Sequence, residues 1–124
     1  MARLVIVMWA ADPGQPVKAA APFVYALAAR AMEVEVQMHF TSTAVRWLVQ
    51  GVAEAGFTDA AGTRTVRDWM RDAHAAGVEL YACAMALAEH RRNGEALRAE
   101  VSGVAGAATV IGLAMDPATR VLVF

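Results

Sequence analysis

Val78–His90 reads VELYACAMALAEH, an apolar strand that runs straight into a helix with the only cysteine of the chain, Cys83, at the joint. The residues assign a strand over Val78–Ala82 and a helix beginning near Cys83. Gly77 before the strand is placed to end the preceding helix, and Asn93-Gly94 to break the following one. Parallel α/β sheets bind ligands beyond the carboxyl ends of their strands. A thiol at this joint therefore stands on the working rim of such a sheet, with the first amides of a helix turned towards it.

The stretches on either side repeat the same alternation of strand and helix. Leu4–Trp9, LVIVMW, is a continuous apolar run of the kind buried on both faces. Ala10–Pro16 holds turn formers, and Val17–Ala31 is a helix apolar nearly all round, with Pro22 expected to end or kink its first turns. Glu33–Met38 alternates polar and apolar residues, which predicts a second strand. Ala44–Ala53 has helical spacing behind the candidate caps Thr41, Ser42 and Thr43. Phe57–Arg64 is irregular. Thr65, with Asp68 three residues on, caps a helix to about Ala76. Glu95–Arg98 is expected to form a helical turn, Val101–Val104 a short strand, Gly106–Met115 a small-residue helix and Arg120–Phe124 a last strand. Strict alternation argues for an α/β fold: one domain over residues 1–124 with three layers, a mostly parallel five-stranded sheet and helices on both faces. The loops Ala10–Pro16 and His39–Thr43 then share a rim with Cys83, and the Ala105-Gly106 turn can join them.

Composition narrows the function classes. The chain has 124 residues, 58% hydrophobic and 19% charged, against about 45–50% and about 25% in an average soluble domain. Alanine accounts for part of the excess, and surface buried between subunits is expected to account for the rest. A net charge of −1 offers no basic patch for nucleic acid. One cysteine makes no internal disulfide. The most lipid-like run, Ala19–Ala29, is bracketed by Lys18 and Arg30 and is about half of the roughly 20 residues that a span requires. No charged region leads into a cleavable hydrophobic one. A soluble, cytoplasmic protein without a membrane span is expected.

Among the rim residues, Cys83 carries the clearest chemistry. Its reactive form is the thiolate, and a helix amino terminus lowers a thiol pKa from about 8.5 to between about 3.5 and 7.5. The alternative is a buried cysteine acting as a small apolar residue. His39 is placed to polarise the thiol or bind an anion on it, or else to bond loop backbone. Asp12 and Thr41 are further binding candidates, with turn former and helix cap as their structural alternatives. His74 and His90 fall on charged helix sides. There is no CxxC, HExxH, GxGxxG or phosphate loop, so no metal or cofactor is called for. Trp9, Trp47 and Trp69 lack the interleaved basic residues of a base-stacking platform.

The initial LVIV strand, the alanine-rich helix, the joint ELYACAMAL, the segment VEVQMHFTSTAV and the ending VAGAATVIGLAMDPATRVLVF together resemble the DsrE/DsrF-like family of small sulfur-relay proteins. VEVQMHFTSTAV resembles its peroxiredoxin-like branch in particular. The resemblance implies a flavodoxin-like or DsrE-like domain in a homo- or hetero-oligomer, often a trimer or hexamer. It also implies that the cysteine, here Cys83, carries sulfur as a persulfide between donor and acceptor proteins. A possible sulfurtransferase follows from it. The second cysteine that some members carry is missing. Two other readings stay open on the residues alone: a module binding a small ligand or flavin without covalent chemistry, and an oligomer subunit with an inert thiol.

Overall fold

In the computed structural model, which describes residues 2–124, all five strands are parallel. They are β1 (Arg3–Met8), β2 (Glu35–Phe40), β3 (Glu79–Cys83), β4 (Gly103–Ala105) and β5 (Thr119–Val123), in the order β4-β3-β2-β1-β5. The chain steps outward from β1 to β4 and then crosses back past β1 to β5. Right-handed crossovers in one direction place their helices on one face, and the reversed crossover places its helix on the other. Accordingly α1 (Ala20–Ala31), α2 (Val66–Ala75) and α3 (Ala84–His90) contribute to one buried core, while α4 (Ala107–Ala114) lies against β1 and β5 and contains no buried residue. One face of the sheet is thickly covered and the other thinly.

The period of two in the strands sorts side chains between these faces. Ile6, Met8, Val36, Met38, Phe40, Leu80 and Ala82 meet Phe23, Trp47, Leu48 and Met70 in the core. Arg3, Glu35, Gln37, His39, Glu79, Tyr81 and Cys83 alternate with them and fall on the thin side.

Local chemistry explains the element ends. Pro22 is the third residue of α1, which starts at Ala20 after a 3-10 turn over Pro16–Ala19. Its missing N–H falls among the first-turn donors that have no helical partner anyway, so the helix is not broken. Thr65 and Asp68 form a complete capping box on α2. Gly77 follows with φ +90°, the left-handed conformation that closes the helix.

Two of the predicted helical elements are absent. Ala44–Ala53 is not an α-helix. A 3-10 helix over Ser42–Leu48 gives way to extended backbone at Val49, which bridges Leu97. Glu95–Arg98 is not a helical turn, because its backbone is taken up by that same pairing: Gln50 N–H donates to Ala96 O at 2.9 Å and Arg98 N–H to Leu48 O at 2.8 Å.

Arg46 clamps this segment with a two-pronged pair to Glu95, at 2.9 and 2.8 Å, and a bond to His90 O at 2.8 Å. The Arg46 guanidinium, helped by the Arg92 amide, holds the Glu95 carboxyl at about 2. A depressed carboxyl stabilises the fold above its unfolded pKa and loses that contribution as pH falls through its folded one. Glu95 should therefore support the fold fully above about pH 5 and progressively less down to pH 2. Denaturant midpoints measured at both pH values should diverge less in Glu95→Gln than in wild type; equal divergence contradicts the clamp.

Candidate functional site

Cys83 is the last residue of β3 and the N-cap of α3. The turn is abrupt because AMALAEH is a strong helix former placed directly behind the strand. Cys83 is half-buried and lines two hollows. The smaller, about 150 Å³, is on the thin face of the sheet and is lined by Val7, His39, Thr41, Cys83 and residues 105–107, 110 and 111. The wider, about 320 Å³, opens on the α3 side between Thr41, Ser42, Met85, Ala86, Glu89 and His90.

Burial pushes the Cys83 thiol up. The Thr41 hydroxyl and the amides of Ala86 and Met85 outweigh it and leave the thiol below its ordinary value. The amides do so as nearby dipoles at the start of α3, without closing a regular cap bond to the sulfur. Thr41→Val removes the hydroxyl and keeps the shape, so the pH midpoint of Cys83 alkylation should move upward. An unmoved midpoint would mean that Thr41 has no part in stabilising the anion.

Thr41 is held in place by the chain on both sides. Its N–H donates to Met8 O at 2.9 Å. Ser42 adopts φ +50°, which costs a non-glycine residue on the order of 1 kcal/mol. Thr43 Oγ1 then donates to Asp12 Oδ2 at 2.7 Å. Asp12 also accepts from Gly14 N–H at 2.9 Å. Its carboxylate thus ties the loop after β1 to the 3-10 helix, and Asp12 lines neither hollow beside Cys83.

His39 lies inside β2 rather than in the loop after it, and is 3% exposed. Its ring stacks on Tyr81 at 5.0 Å between centroids. Its Nε2 is 3.0 Å from Gln37 Oε1, and the Tyr81 hydroxyl donates to Glu79 Oε2 at 2.7 Å. Burial lowers the His39 pKa, with Glu79 opposing more weakly, so the ring is neutral at neutral pH. The structure thus brings Cys83, His39 and Thr41 to one hollow and leaves Asp12 outside it. Gln37, Glu79 and Tyr81 were not singled out from the sequence. The alternation in EVQMHF and ELYAC, read through to Phe40 and Cys83, puts them on the same face as His39 and Cys83.

Small-molecule sites usually enclose about 300–1,000 Å³; the smaller hollow, about 150 Å³, is below that range and the wider one, about 320 Å³, is at its lower end. No group of three or more His, Cys, Asp or Glu able to hold a metal ion occurs among the described residues. No helix among them is long and apolar enough to cross a membrane.

Comparison with known proteins agrees with the fold. The crystal structure of the YchN protein from E. coli is similar at a TM-score of 0.78, with 17% identity over 100% of both chains. MTH1491 from Methanobacterium thermoautotrophicum, described as a protein of unknown function, is similar at a TM-score of 0.68, also with 17% identity over 100% of both chains. No curated protein matches the chain. The DsrE/DsrF-like family model matches residues 4–124, and with the parallel five-stranded sheet and the strand-to-helix cysteine joint in place, the chain belongs to the DsrE/DsrF-like family.

Proposed function

We propose that the protein carries sulfur as a persulfide on Cys83, within a homo-oligomer. The observation that supports this most is a half-buried cysteine that lines two hollows and whose thiol is held below its ordinary pKa. In the loading step the Cys83 thiolate attacks the terminal sulfur of a donor hydropersulfide, R–S–SH. The donor S–S bond breaks, RS⁻ leaves with the electron pair, and Cys83–S–SH forms. In delivery an acceptor thiolate attacks that terminal sulfur and Cys83 leaves as a thiolate, stabilised by the same hydroxyl and amides. Neither step needs an outside oxidant or reductant. Intact mass should rise by one sulfur atom after exposure to a hydropersulfide, and an acceptor thiol should return it to the starting value. A protein whose mass never changes contradicts the reading.

The oligomer is supported by where exposed apolar side chains fall. Val121 and Val123 on the thin face of β5, Ile111 on α4 and Met115 at its C-cap leave apolar side chains exposed, and β5 has a strand on one side only. An apolar edge strand left open invites association. Sedimentation should give a species larger than the 13.2 kDa chain, a trimer or hexamer, and Val123→Lys should shift it towards monomer. A wild-type monomer at micromolar concentration contradicts this assembly.

A further inference from the structure

On the thin face, the strand registers set His39 between Cys83 and a short polar row. Gln37 stands opposite Glu79, and His39 opposite Tyr81 on one side and Val7 on the other. Cys83 is two residues beyond Tyr81 on β3, so it is diagonal to His39. A strand spacing of about 4.8 Å and a rise of about 3.3 Å per residue put the two Cα atoms roughly 8 Å apart. Both side chains line the smaller hollow. The ring is held from two directions. Its Nε2 is 3.0 Å from Gln37 Oε1, which can only accept, so Nε2 carries the hydrogen. Its face lies on Tyr81 at 5.0 Å and 17°, and the Tyr81 hydroxyl is turned to Glu79 Oε2. Val7, Thr41 and residues 107, 110 and 111 of α4 complete the surroundings and carry no charge. Among the described residues, the neighbours of the ring that ionise are therefore Cys83, Tyr81 and Glu79, all on β3. Glu79 favours the charged ring and burial outweighs it.

We propose that Gln37 is a positioning residue: by accepting the Nε2 hydrogen it keeps His39 an uncharged wall beside Cys83, so that the thiolate is stabilised by neutral dipoles and not by an imidazolium. The inference deepens the sulfur-carrier reading above, on which its functional meaning rests. An imidazolium beside the sulfur would lower the thiol further and make its anion a weaker nucleophile. A thiol whose pKa stays near the ambient pH attacks best. The carrier reading asks the Cys83 sulfur to attack in loading and to leave in delivery, which a deeply stabilised anion serves in only one direction. A carboxylate in place of the Gln37 amide would favour the charged ring. The amide offers the same acceptor at the same length without the charge.

Two measurements test the link. The first leaves the sequence untouched. Cys83 is alkylated either with iodoacetate, which adds a carboxylate, or with iodoacetamide, which adds a neutral amide, and the His39 ring is titrated by NMR. Charge at Cys83 that reaches the ring should put the His39 midpoint at least about half a pH unit higher in the carboxymethylated protein than in the carbamidomethylated one. The second measurement uses Gln37→Glu. Its His39 midpoint should rise by at least about one pH unit, and the pH midpoint of Cys83 alkylation should fall by at least about half a unit. The sign is decisive, because a carboxylate acting on the sulfur directly would raise the thiol. Adding His39→Gln to Gln37→Glu should accordingly abolish the fall. Equal His39 midpoints in the two alkylated forms overturn the proposal. So does a folded Gln37→Glu protein whose Cys83 midpoint stays or rises. Thermal unfolding checks the fold, and if Gln37→Glu does not fold the alkylated pair decides. Sulfur uptake by intact mass is read separately: wild-type protein that takes up no sulfur while both shifts appear removes the carrier reading and leaves the coupling of Gln37, His39 and Cys83 in place.

Discussion

Cys83→Ser is expected to take no sulfur from a hydropersulfide and to deliver none, while unfolding within about 2 °C of wild type. The replacement is nearly the same shape, and Cys83 is only partly buried, touching the core from the rim. Little packing is lost. What disappears is the anion. The Thr41 hydroxyl and the Met85 and Ala86 amides that bias the thiol towards its ionised form cannot make a useful anion of a serine hydroxyl at neutral pH. A hydroxyl is also the wrong atom to form and release a sulfur–sulfur bond by exchange. The measurement is intact mass before and after donor and then acceptor. Sulfur uptake retained by the folded serine variant would move the chemistry to another group and remove Cys83 from the account.

Trp47→Ala is expected to destabilise the protein by about 3–5 kcal/mol, much of the roughly 5–15 kcal/mol by which a domain of this size is stable. Trp47 is fully buried and is the largest fully buried side chain. Its Nε1 donates to Ala11 O at 2.6 Å, so its loss opens a cavity and also leaves a buried carbonyl without its donor. A methyl group at Gly56 would overlap the Trp47 ring, which shows how closely the chain is wrapped around the indole. Because Trp47 joins the loop after β1 to the 3-10 helix that begins next to Thr41, the surroundings of Cys83 should loosen with it. Denaturant unfolding measures the loss. A cost below about 1 kcal/mol would mean that the core closes around the missing ring more readily than close packing allows.

How much of this was legible in the sequence follows from what each residue pattern encodes. Apolar runs bounded by turn formers marked all five strands to within two residues, since burial on a parallel sheet writes itself into continuous or alternating apolar stretches. Thr65 and Asp68, a cap whose partners are three residues apart, were readable for the same reason: the interaction is local. The helix over Ala44–Ala53 was not, because its fate is decided elsewhere. Val49 is drawn into extended backbone by Leu97, nearly fifty residues later, and helical spacing cannot register that pairing. At the site, Cys83 was legible as a strand-to-helix joint. His39 was placed in a loop because the strand was ended at Met38, two residues short of Phe40. That error also hid the row Gln37, His39, Tyr81 and Glu79, which exists only when β2 and β3 are set side by side with Gln37 opposite Glu79 and His39 opposite Tyr81. Asp12 was legible as a turn residue, but not as the partner of Thr43, a contact 31 residues apart, and it lies outside the hollows beside Cys83.

The measurement closest to the central claim is the titration of the Cys83 thiolate by its ultraviolet absorbance in the native protein, with Cys83→Ser as the blank. The account predicts a midpoint below that of an unperturbed cysteine, about 8.5, reached reversibly while the protein stays folded. A midpoint at or above that value, or a thiol that ionises only as the fold is lost, would contradict it.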